Sequence, residues 1–330
     1  MDKFNMFNFL SKDNKELIHS QFIKFLIDYH KDSFYKDFLK MEPLMGEPEV
    51  EISFSHGNER GRFDLIVSEE ETVKGKKCNI IKLVIENKFK SFPYDEQLEK
   101  YDNYLKAKQI YPKRILLTFD NEVTKSLVNN QEWQLKDYSK LLEFCKKLPK
   151  TNNEDESLFL SHYIEFLDEY VKKFKRIKDA GLHDNTDDKK DIGFWKSLAF
   201  HIVASKVLSE ISNKYTVTVF SGRQFEPGFI IEKSNKNQRE QFTLEGNKCW
   251  LEYQNGAFKL KFGEGNYDDL RKNNDLNEIV KTNGYRFYNK PRAEVESFSM
   301  IKKEIECKNL NEFAKNIVTE FITFKEKFNL

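Results

Sequence analysis

RFDLIV at residues 62–67 and LVIENKF at residues 83–89 are the two stretches that decide the fold. Each is an apolar run of strand length that contains charged residues. Residues two apart in a strand point to the same face, so Glu86 and Lys88 are expected side by side. Neighbouring strands lie about 5 Å apart, close enough for Asp64 and Glu86 to bind one cation. Charge within an apolar strand costs free energy unless it is paired, so the pattern predicts a functional site.

The segments around these two stretches predict an α/β core in the order helix, three strands, helix, strand. Apolar residues spaced by three and four predict the first helix, and short apolar runs bounded by turn residues predict the strands. Pro93 followed by acidic residues predicts the start of the second helix. The predicted elements are a helix over 12–30, strands over 48–54, 62–67 and 80–89, a helix from Pro93 to about Leu105, and a strand over 114–119.

The length of 330 residues exceeds the size at which one core usually stops growing, so two domains are expected. Two more amphipathic helices are predicted over 137–148 and 157–178. The charged, Gly- and Asn-containing segment 179–191 has the composition of a linker. We therefore predict a first domain over 1–178, a linker over 179–191 and a second domain of α+β type over 192–330.

The composition excludes a global electrostatic attraction to polyanions. Lys plus Arg is 55 and Asp plus Glu is 54, which gives a net charge of +1, so any nucleic-acid binding needs a local basic patch. The start of the chain lacks a signal-peptide pattern, and no segment approaches the roughly 20 apolar residues of a membrane span. The four cysteines have no metal-binding spacing and are expected to be reduced and buried. A cytoplasmic protein that does not bind membranes is expected.

The element order and several short motifs resemble the PD-(D/E)XK nuclease superfamily, and in detail a bacterial branch of it. The resemblance covers about residues 12–178 and implies a restriction-endonuclease-like core. Phe63 stands where the name of the superfamily has Pro. The matching motifs are Glu16 with His19 and Ser20, Gly61 to Asp64, Glu86 to Lys88, Gln97 to Tyr101, and Leu117 with Thr118.

The resemblance and the strand geometry both indicate Asp64 and Glu86 as ligands of Mg²⁺ or Mn²⁺, which favour carboxylate oxygens and water. Lys88 would orient or activate the attacking water and offset charge on the phosphate. The resemblance adds Glu16 as a third carboxylate, although an acidic residue in a first helical turn also suits the helix dipole. Gln97 joins the catalytic group because an amide can hold the lysine or a phosphate oxygen without adding charge.

Two further residues are candidates for substrate binding. Arg62 would bind a phosphate or Asp64 itself, and Tyr101 would donate a hydrogen bond or pack in the core. Together the residues predict a metal-dependent nuclease, expected to be an endonuclease, with DNA favoured over RNA. The alternative is a non-catalytic module that binds nucleic acid or senses a ligand in a bacterial defence or mobile-element system. Residues 192–330 would select the substrate or a partner, either a second copy of the chain or another protein.

Overall fold

The structure is a computed structural model. It describes residues 6–7, 15–57, 59–73, 75–128, 130–149, 153–180, 192–211, 214–220, 228–235, 238–240, 242–244, 247–254, 257–262, 272, 274–282, 286–287, 298–304 and 309–328. The chain divides into two compact units, Met1–Phe174 and Lys175–Leu330. Most of the predicted linker, residues 181–191, lies outside the described residues.

The first unit contains a mixed five-stranded sheet whose strands lie in the order of the sequence. The first three strands pair antiparallel, and the fourth and fifth are added in parallel. A parallel strand needs a crossover, and the helix between the third and fourth strands supplies it. The strands are β1 (Pro48–His56), β2 (Glu59–Val73), β3 (Lys76–Asn87), β4 (Lys113–Thr118) and β5 (Gln134–Asp137).

Among the described residues, five helices of seven residues or more accompany this sheet, which confirms the predicted α/β class. Asp120 and Asp137 begin two of them, since each carboxylate accepts hydrogen bonds from backbone N–H groups of the first turn. A short helical turn, Lys31–Ser33, leads into a π-helical turn, Phe34–Leu39. The helices are α1 (Lys15–Tyr29), α2 (Asp95–Ala107), α3 (Asn121–Leu127), α4 (Tyr138–Lys147) and α5 (Glu154–Ala180).

The structure contains the predicted order of helix, three strands, helix and strand, with some changed boundaries. β2 and β3 are longer than expected and meet at a tight turn, where Gly75 has a φ of 78° that favours glycine. The predicted loop at 74–77 is therefore shorter, because residues 76 and 77 belong to β3. β3 also ends at Asn87 rather than at residue 89, so Lys88 directly follows the strand.

One face of the sheet packs against α2 and forms a continuous core. Leu98, Tyr101 and Leu105 of α2 lie at spacings of three and four, as the predicted stripe requires. They contact buried residues from four strands and from the connection before β5. The buried members of this cluster are Phe54, Phe63, Ile66, Val84, Leu98, Tyr101, Leu105, Leu116, Val128 and Trp133.

A second group of buried rings joins α1, α4 and α5 to the end of β3. Phe89 lies just after β3, and its ring centroid is 3.7 Å from that of His19 in α1 and 5.6 Å from that of Phe166 in α5. Tyr138 of α4 contacts the same ring at 5.1 Å. Burying a phenylalanine side chain stabilises a fold by roughly 1.5–3 kcal/mol. This packing fixes the backbone directly after the charged residues of β3.

The described part of the second unit contains an antiparallel sheet and the helices α6 (Ile192–Glu210), α7 (Asn274–Thr282) and α8 (Leu310–Phe328). The strands of the sheet are β6 (Tyr215–Phe220), β7 (Gly228–Asn235), β8 (Gln238–Glu240), β9 (Phe242–Leu244), β10 (Asn247–Gln254), β11 (Ala257–Phe262), β12 (Arg286–Phe287) and β13 (Phe298–Glu304). Their main order is β12-β13-β11-β10-β7-β6, with β8 beside β7 and β9 beside β10. Tyr253 contacts Phe200 of α6 and Phe313 of α8, so these two helices pack on one face of the sheet.

The described residues bear on two sequence expectations, the lack of a membrane-spanning helix and the burial of the cysteines. Within these ranges, no helix has both the length and the apolar character needed to cross a membrane. Cys145 and Cys249 are buried as expected, but Cys78 is exposed, so the prediction of burial is wrong for that residue. Cys78 lies in the first half of β3, near the turn, where the strand is exposed to solvent. Cys307 lies outside the described residues.

Candidate active site

The two predicted carboxylates meet where β2 and β3 run side by side. The last recorded pair of this ladder joins Leu65 to Ile85, and the next residue on each strand is Asp64 or Glu86. Both carboxylates are buried, with 8% of Asp64 and 0% of Glu86 exposed. The backbone N–H of Asn87 donates to Asp64 Oδ2 at 2.7 Å, which ties the Asp64 side chain to the end of β3. The structure therefore brings together the two acids that the strand pattern indicated.

Lys88 lies beside Glu86, as the alternation of strand residues predicted. Its Nζ is 2.7 Å from Glu86 Oε1. Only 6% of the lysine side chain and 1% of the glutamate side chain is exposed. The backbone N–H of Lys88 donates to Leu117 O of β4 at 2.8 Å. This bond continues the parallel ladder one residue past β3, so the position of Lys88 is set by the sheet rather than by a free loop.

Helix α2 contributes two polar side chains one turn apart. Gln97 Nε2 donates to Glu86 Oε1 and to the Tyr101 hydroxyl oxygen, each at 2.7 Å. The Tyr101 hydroxyl donates to Arg62 O at 2.8 Å, while its ring packs against Phe63 at a centroid distance of 5.0 Å. Tyr101 thus packs in the core and makes a polar contact as well. Gln97 binds the same carboxylate oxygen as Lys88 and so positions Glu86.

Helix α1 contributes Glu16, which lines the same cleft as the two acids and the lysine. Its Oε1 accepts a hydrogen bond from Ser91 Oγ. Ser20, one turn further along α1, accepts from Asn87 Nδ2 at 2.8 Å and links the helix to the end of β3. His19 is not among the cleft residues, and its Nδ1 lies 2.7 Å from the Tyr163 hydroxyl oxygen.

Arg62 pairs with a residue that the sequence did not single out. Its Nη1 is 3.0 Å from Glu51 Oε2 of β1, and it makes no recorded ion pair with Asp64. Glu51 has a φ of 56°, a left-handed conformation that is strained for a residue other than glycine. The β1–β2 register pairs Val50 with Leu65 and then Ile52 with Phe63, so Glu51 occupies the interruption opposite Asp64. The pattern of apolar residues along β1 carries no signal of this interruption.

These side chains line one open cleft of about 470 Å³. All seven residues predicted for the site line it. Gly61 also lines it, and a Cβ atom at this position would lie only 2.2 Å from the Phe54 ring, so a larger residue would clash there. Four further lining residues were not predicted, because their approach to the cleft depends on how α2 packs on β2. The lining residues are Glu16, Arg60, Gly61, Arg62, Asp64, Glu86, Lys88, Tyr94, Glu96, Gln97, Lys100 and Tyr101.

A family model described as the PD-(D/E)XK nuclease superfamily matches residues 4–165. This region belongs to the PD-(D/E)XK nuclease superfamily. The match confirms the resemblance inferred from the motifs. Membership indicates a nuclease with a nucleic-acid substrate, and PD-(D/E)XK nucleases typically use divalent metal ions. No curated protein and no solved structure matches the chain.

The electrostatics of this PD-(D/E)XK site favour a bound cation. Burial raises the pKa of Asp64 to about 6, against the opposing effects of the Asn87 N–H and the Lys88 ammonium. Burial and the charge of Asp64 raise the pKa of Glu86 to about 8. Burial alone would lower the pKa of Lys88, but the carboxylates of Glu86 and Glu16 outweigh it and raise the pKa. A divalent cation would relieve the repulsion between the two acids.

The donor set also fits a divalent metal ion. Glu86 Oε2 is buried and has no hydrogen-bond partner among the described residues, which is costly for a carboxylate oxygen unless a cation binds it. Asp64 and Glu86 offer hard oxygen ligands, the kind that Mg²⁺ and Mn²⁺ prefer. Among the described residues, no three His, Cys, Asp or Glu side chains form a metal-binding group. Mg²⁺ and Mn²⁺ commonly keep several waters when one or two carboxylates bind them, so Asp64 and Glu86 would suit such a cation.

Proposed function

We propose that this protein is a metal-dependent nuclease that hydrolyses phosphodiester bonds, acting as an endonuclease with DNA favoured over RNA. The observation that carries the proposal is the meeting of Asp64, Glu86 and Lys88 in one cleft, where Glu86 Oε2 is buried without a hydrogen-bond partner in the part of the chain that the structure describes. Burying two carboxylates and an ammonium group carries a desolvation cost, which apolar side chains of similar size at these positions would avoid. Such a cost is typical of a site selected for chemistry.

Asp64 and Glu86 would hold Mg²⁺ or Mn²⁺. The bound cation would polarise a phosphoryl oxygen and lower the pKa of a water molecule that attacks phosphorus. Glu16 lines the cleft and accepts a hydrogen bond from Ser91, and as a third carboxylate it would orient the attacking water. These three carboxylates would set the direction from which the water approaches the phosphate.

Lys88 would stabilise the charge that develops on the phosphate. Its ammonium is held 2.7 Å from Glu86 Oε1 and faces the cleft, so it needs little rearrangement when the substrate binds. It can also donate a hydrogen bond to the attacking water. Gln97 is a positioning residue in this scheme, because it holds the Glu86 carboxylate and is itself fixed by Tyr101.

Arg62 would contact a substrate phosphate from the rim of the cleft. Its side chain is about half exposed, and among the described residues its guanidinium pairs through Nη1 with Glu51 alone. The remaining donors suit a phosphate, which guanidinium groups bind in a forked geometry. Tyr101 would act through Gln97 rather than by direct contact with the substrate.

The second part of the chain would select the substrate or a partner. We propose that residues 1–178 form the nuclease domain, that 179–191 link the domains, and that 192–330 provide this selection, through a second copy of the chain or another protein. We propose that the nuclease acts in the cytoplasm as part of a bacterial defence system.

Cleavage assays on the full chain test the proposal. Linear and circular DNA and RNA, single- and double-stranded, are incubated with Mg²⁺, Mn²⁺ or EDTA. Cleavage is expected only with a divalent ion, and nicking of circular DNA would show the endonuclease mode. Lys88→Ala and Glu86→Ala should each lose activity. Glu71→Ala and Lys82→Ala are matched controls, because these two residues form an exposed ion pair on the same two strands.

Two results would count against this mechanism. Activity that persists in both Lys88→Ala and Glu86→Ala would place the chemistry elsewhere. Tight binding of nucleic acid by the parent protein, with no cleavage under any metal condition, would favour the alternative of a non-catalytic binding or sensing module.

A further inference from the structure

An exposed tyrosine stands at the rim of the cleft. Tyr94 immediately precedes α2 in an extended conformation, with φ −128° and ψ 141°. It is 60% exposed and lines the same cleft as Glu86 and Lys88. In the part of the chain that the structure describes, its ring has no stacking contact and its hydroxyl has no hydrogen bond. An exposed tyrosine ring at the rim of the proposed site offers a flat aromatic face on which a ligand can stack.

Two basic residues lie at the same cleft. Arg60 of β2 and Lys100 of α2 are exposed and line it together with Tyr94. Neither forms an ion pair or side-chain hydrogen bond with another described residue. Lys100 lies in the second turn of the helix that Tyr94 precedes, so the aromatic ring and the ammonium group are carried by one rigid element.

The charge of the cleft becomes favourable to a polyanion once a cation is bound. Four basic and four acidic side chains line it, so their formal charges balance. Two of the acids, Asp64 and Glu86, are the proposed metal ligands. A divalent cation between them would leave the cleft positive, with Arg60 and Lys100 as cations that have no ion pair among the described residues. This arrangement suits a phosphate backbone that passes over the metal.

We propose that the cleft binds single-stranded polynucleotide, with an unpaired base stacked on Tyr94 and neighbouring phosphates bound by Arg60 and Lys100. The inference rests on the proposed nuclease function and names its substrate class. In a duplex both faces of each base are covered by neighbouring bases, so an exposed ring can stack only on an unpaired or extruded base. Stacking is tolerant of sequence because every base has a flat aromatic face, so little sequence preference is expected.

Binding measurements with the full chain test this inference separately from catalysis. A fluorescent oligonucleotide is presented as single-stranded DNA, as single-stranded RNA and as duplex DNA of the same sequence, with Ca²⁺ in place of Mg²⁺ and product gels to confirm that no cleavage occurs. The variants are Tyr94→Ala, Tyr94→Phe, which keeps the ring, and Tyr111→Ala. Tyr111 is a matched control because it is also exposed but does not line the cleft.

The parent protein should bind at least one of the single strands more tightly than the duplex, and comparison of the DNA and RNA arms shows which sugar is preferred. Tyr94→Ala should weaken single-strand binding roughly tenfold, and Tyr94→Phe and Tyr111→Ala should stay within about twofold of the parent. An oligonucleotide that contains 2-aminopurine should lose fluorescence on binding the parent, since stacking quenches this base. The quenching should be absent with Tyr94→Ala.

The results that overturn the inference differ from those that overturn the nuclease proposal. Preference of the parent for duplex, or unchanged single-strand binding by Tyr94→Ala, removes the role of Tyr94 and leaves metal-dependent cleavage untouched. A parent protein that neither binds nor cleaves any of the three nucleic acids removes the nuclease proposal itself. The thermal midpoint of each variant shows whether it is folded. Because Tyr94 is exposed, its replacement should leave this midpoint unchanged.

Discussion

Replacement of Gln97 by alanine tests whether Glu86 must be held in place for activity. The change removes two hydrogen bonds of 2.7 Å, one to the Glu86 carboxylate and one to the Tyr101 hydroxyl. A bond to a charged group contributes about 1.5–3 kcal/mol and a neutral one about 1 kcal/mol. Gln97 is only partly buried, so water can replace some of these bonds. We therefore expect a loss of about 1–2 kcal/mol in the free energy of unfolding.

The effect of this change on activity should exceed its effect on stability. Residues that orient a metal ligand typically contribute about 10- to 100-fold to metal affinity or activity. Gln97→Ala should therefore lower both the Mn²⁺ affinity and the cleavage rate by about that factor. Asn103→Ala is the control, since Asn103 is an exposed amide on the same helix. A Gln97→Ala protein with the parent's Mn²⁺ affinity and cleavage rate would refute the positioning role.

Three further predictions concern stability. Phe89→Ala should lower the free energy of unfolding by about 3–5 kcal/mol, because the fully buried ring of Phe89 packs on α1, α4 and α5. Urea denaturation measures this change, and a loss below about 1 kcal/mol would contradict the packing described here. Glu51→Gly should raise the thermal midpoint, since removing left-handed strain of about 1–2 kcal/mol outweighs the exposed ion pair with Arg62; a lower midpoint contradicts this. Burial lowers the pKa of His201 to about 4, so the unfolded chain takes up the proton first. The contribution of His201 to stability should be complete above pH 6.5 and should be lost, by about 3 kcal/mol, towards pH 4. Thermal scans should therefore show the parent protein losing stability relative to His201→Gln as the pH falls through this range.

The central part of the site could be predicted from sequence because it depends on local periodicity. Alternation along two neighbouring strands is sufficient to place Asp64 beside Glu86 and Lys88, and helical spacing is sufficient to place Gln97 one turn from Tyr101. These relations follow from backbone geometry within single elements and one strand pairing. The family match over residues 4–165 agrees with the resemblance inferred from the motifs, and the roles of the individual residues stay predictions.

The remaining features depend on packing that leaves no local pattern. β5 has only four residues and α3 only seven, too few for a periodic signal. The left-handed conformation of Glu51 coincides with a missing pair in the β1–β2 ladder, which a strand sequence does not reveal. Arg62 was expected near a phosphate or Asp64, but its ion pair with Glu51 depends on the β1–β2 register. Tyr94 approaches the cleft only because α2 packs on the sheet.

Calorimetric titration of the full chain with Mn²⁺ tests the central claim most directly. The claim is that Asp64 and Glu86, brought together by β2 and β3, hold a divalent cation. The parent protein and the Glu71→Ala control should bind Mn²⁺ with similar affinity, and Asp64→Ala and Glu86→Ala should each lose this binding while keeping a cooperative unfolding transition. Equal Mn²⁺ binding by the parent and by both of these variants would contradict the claim, and so would a parent protein that binds no Mn²⁺.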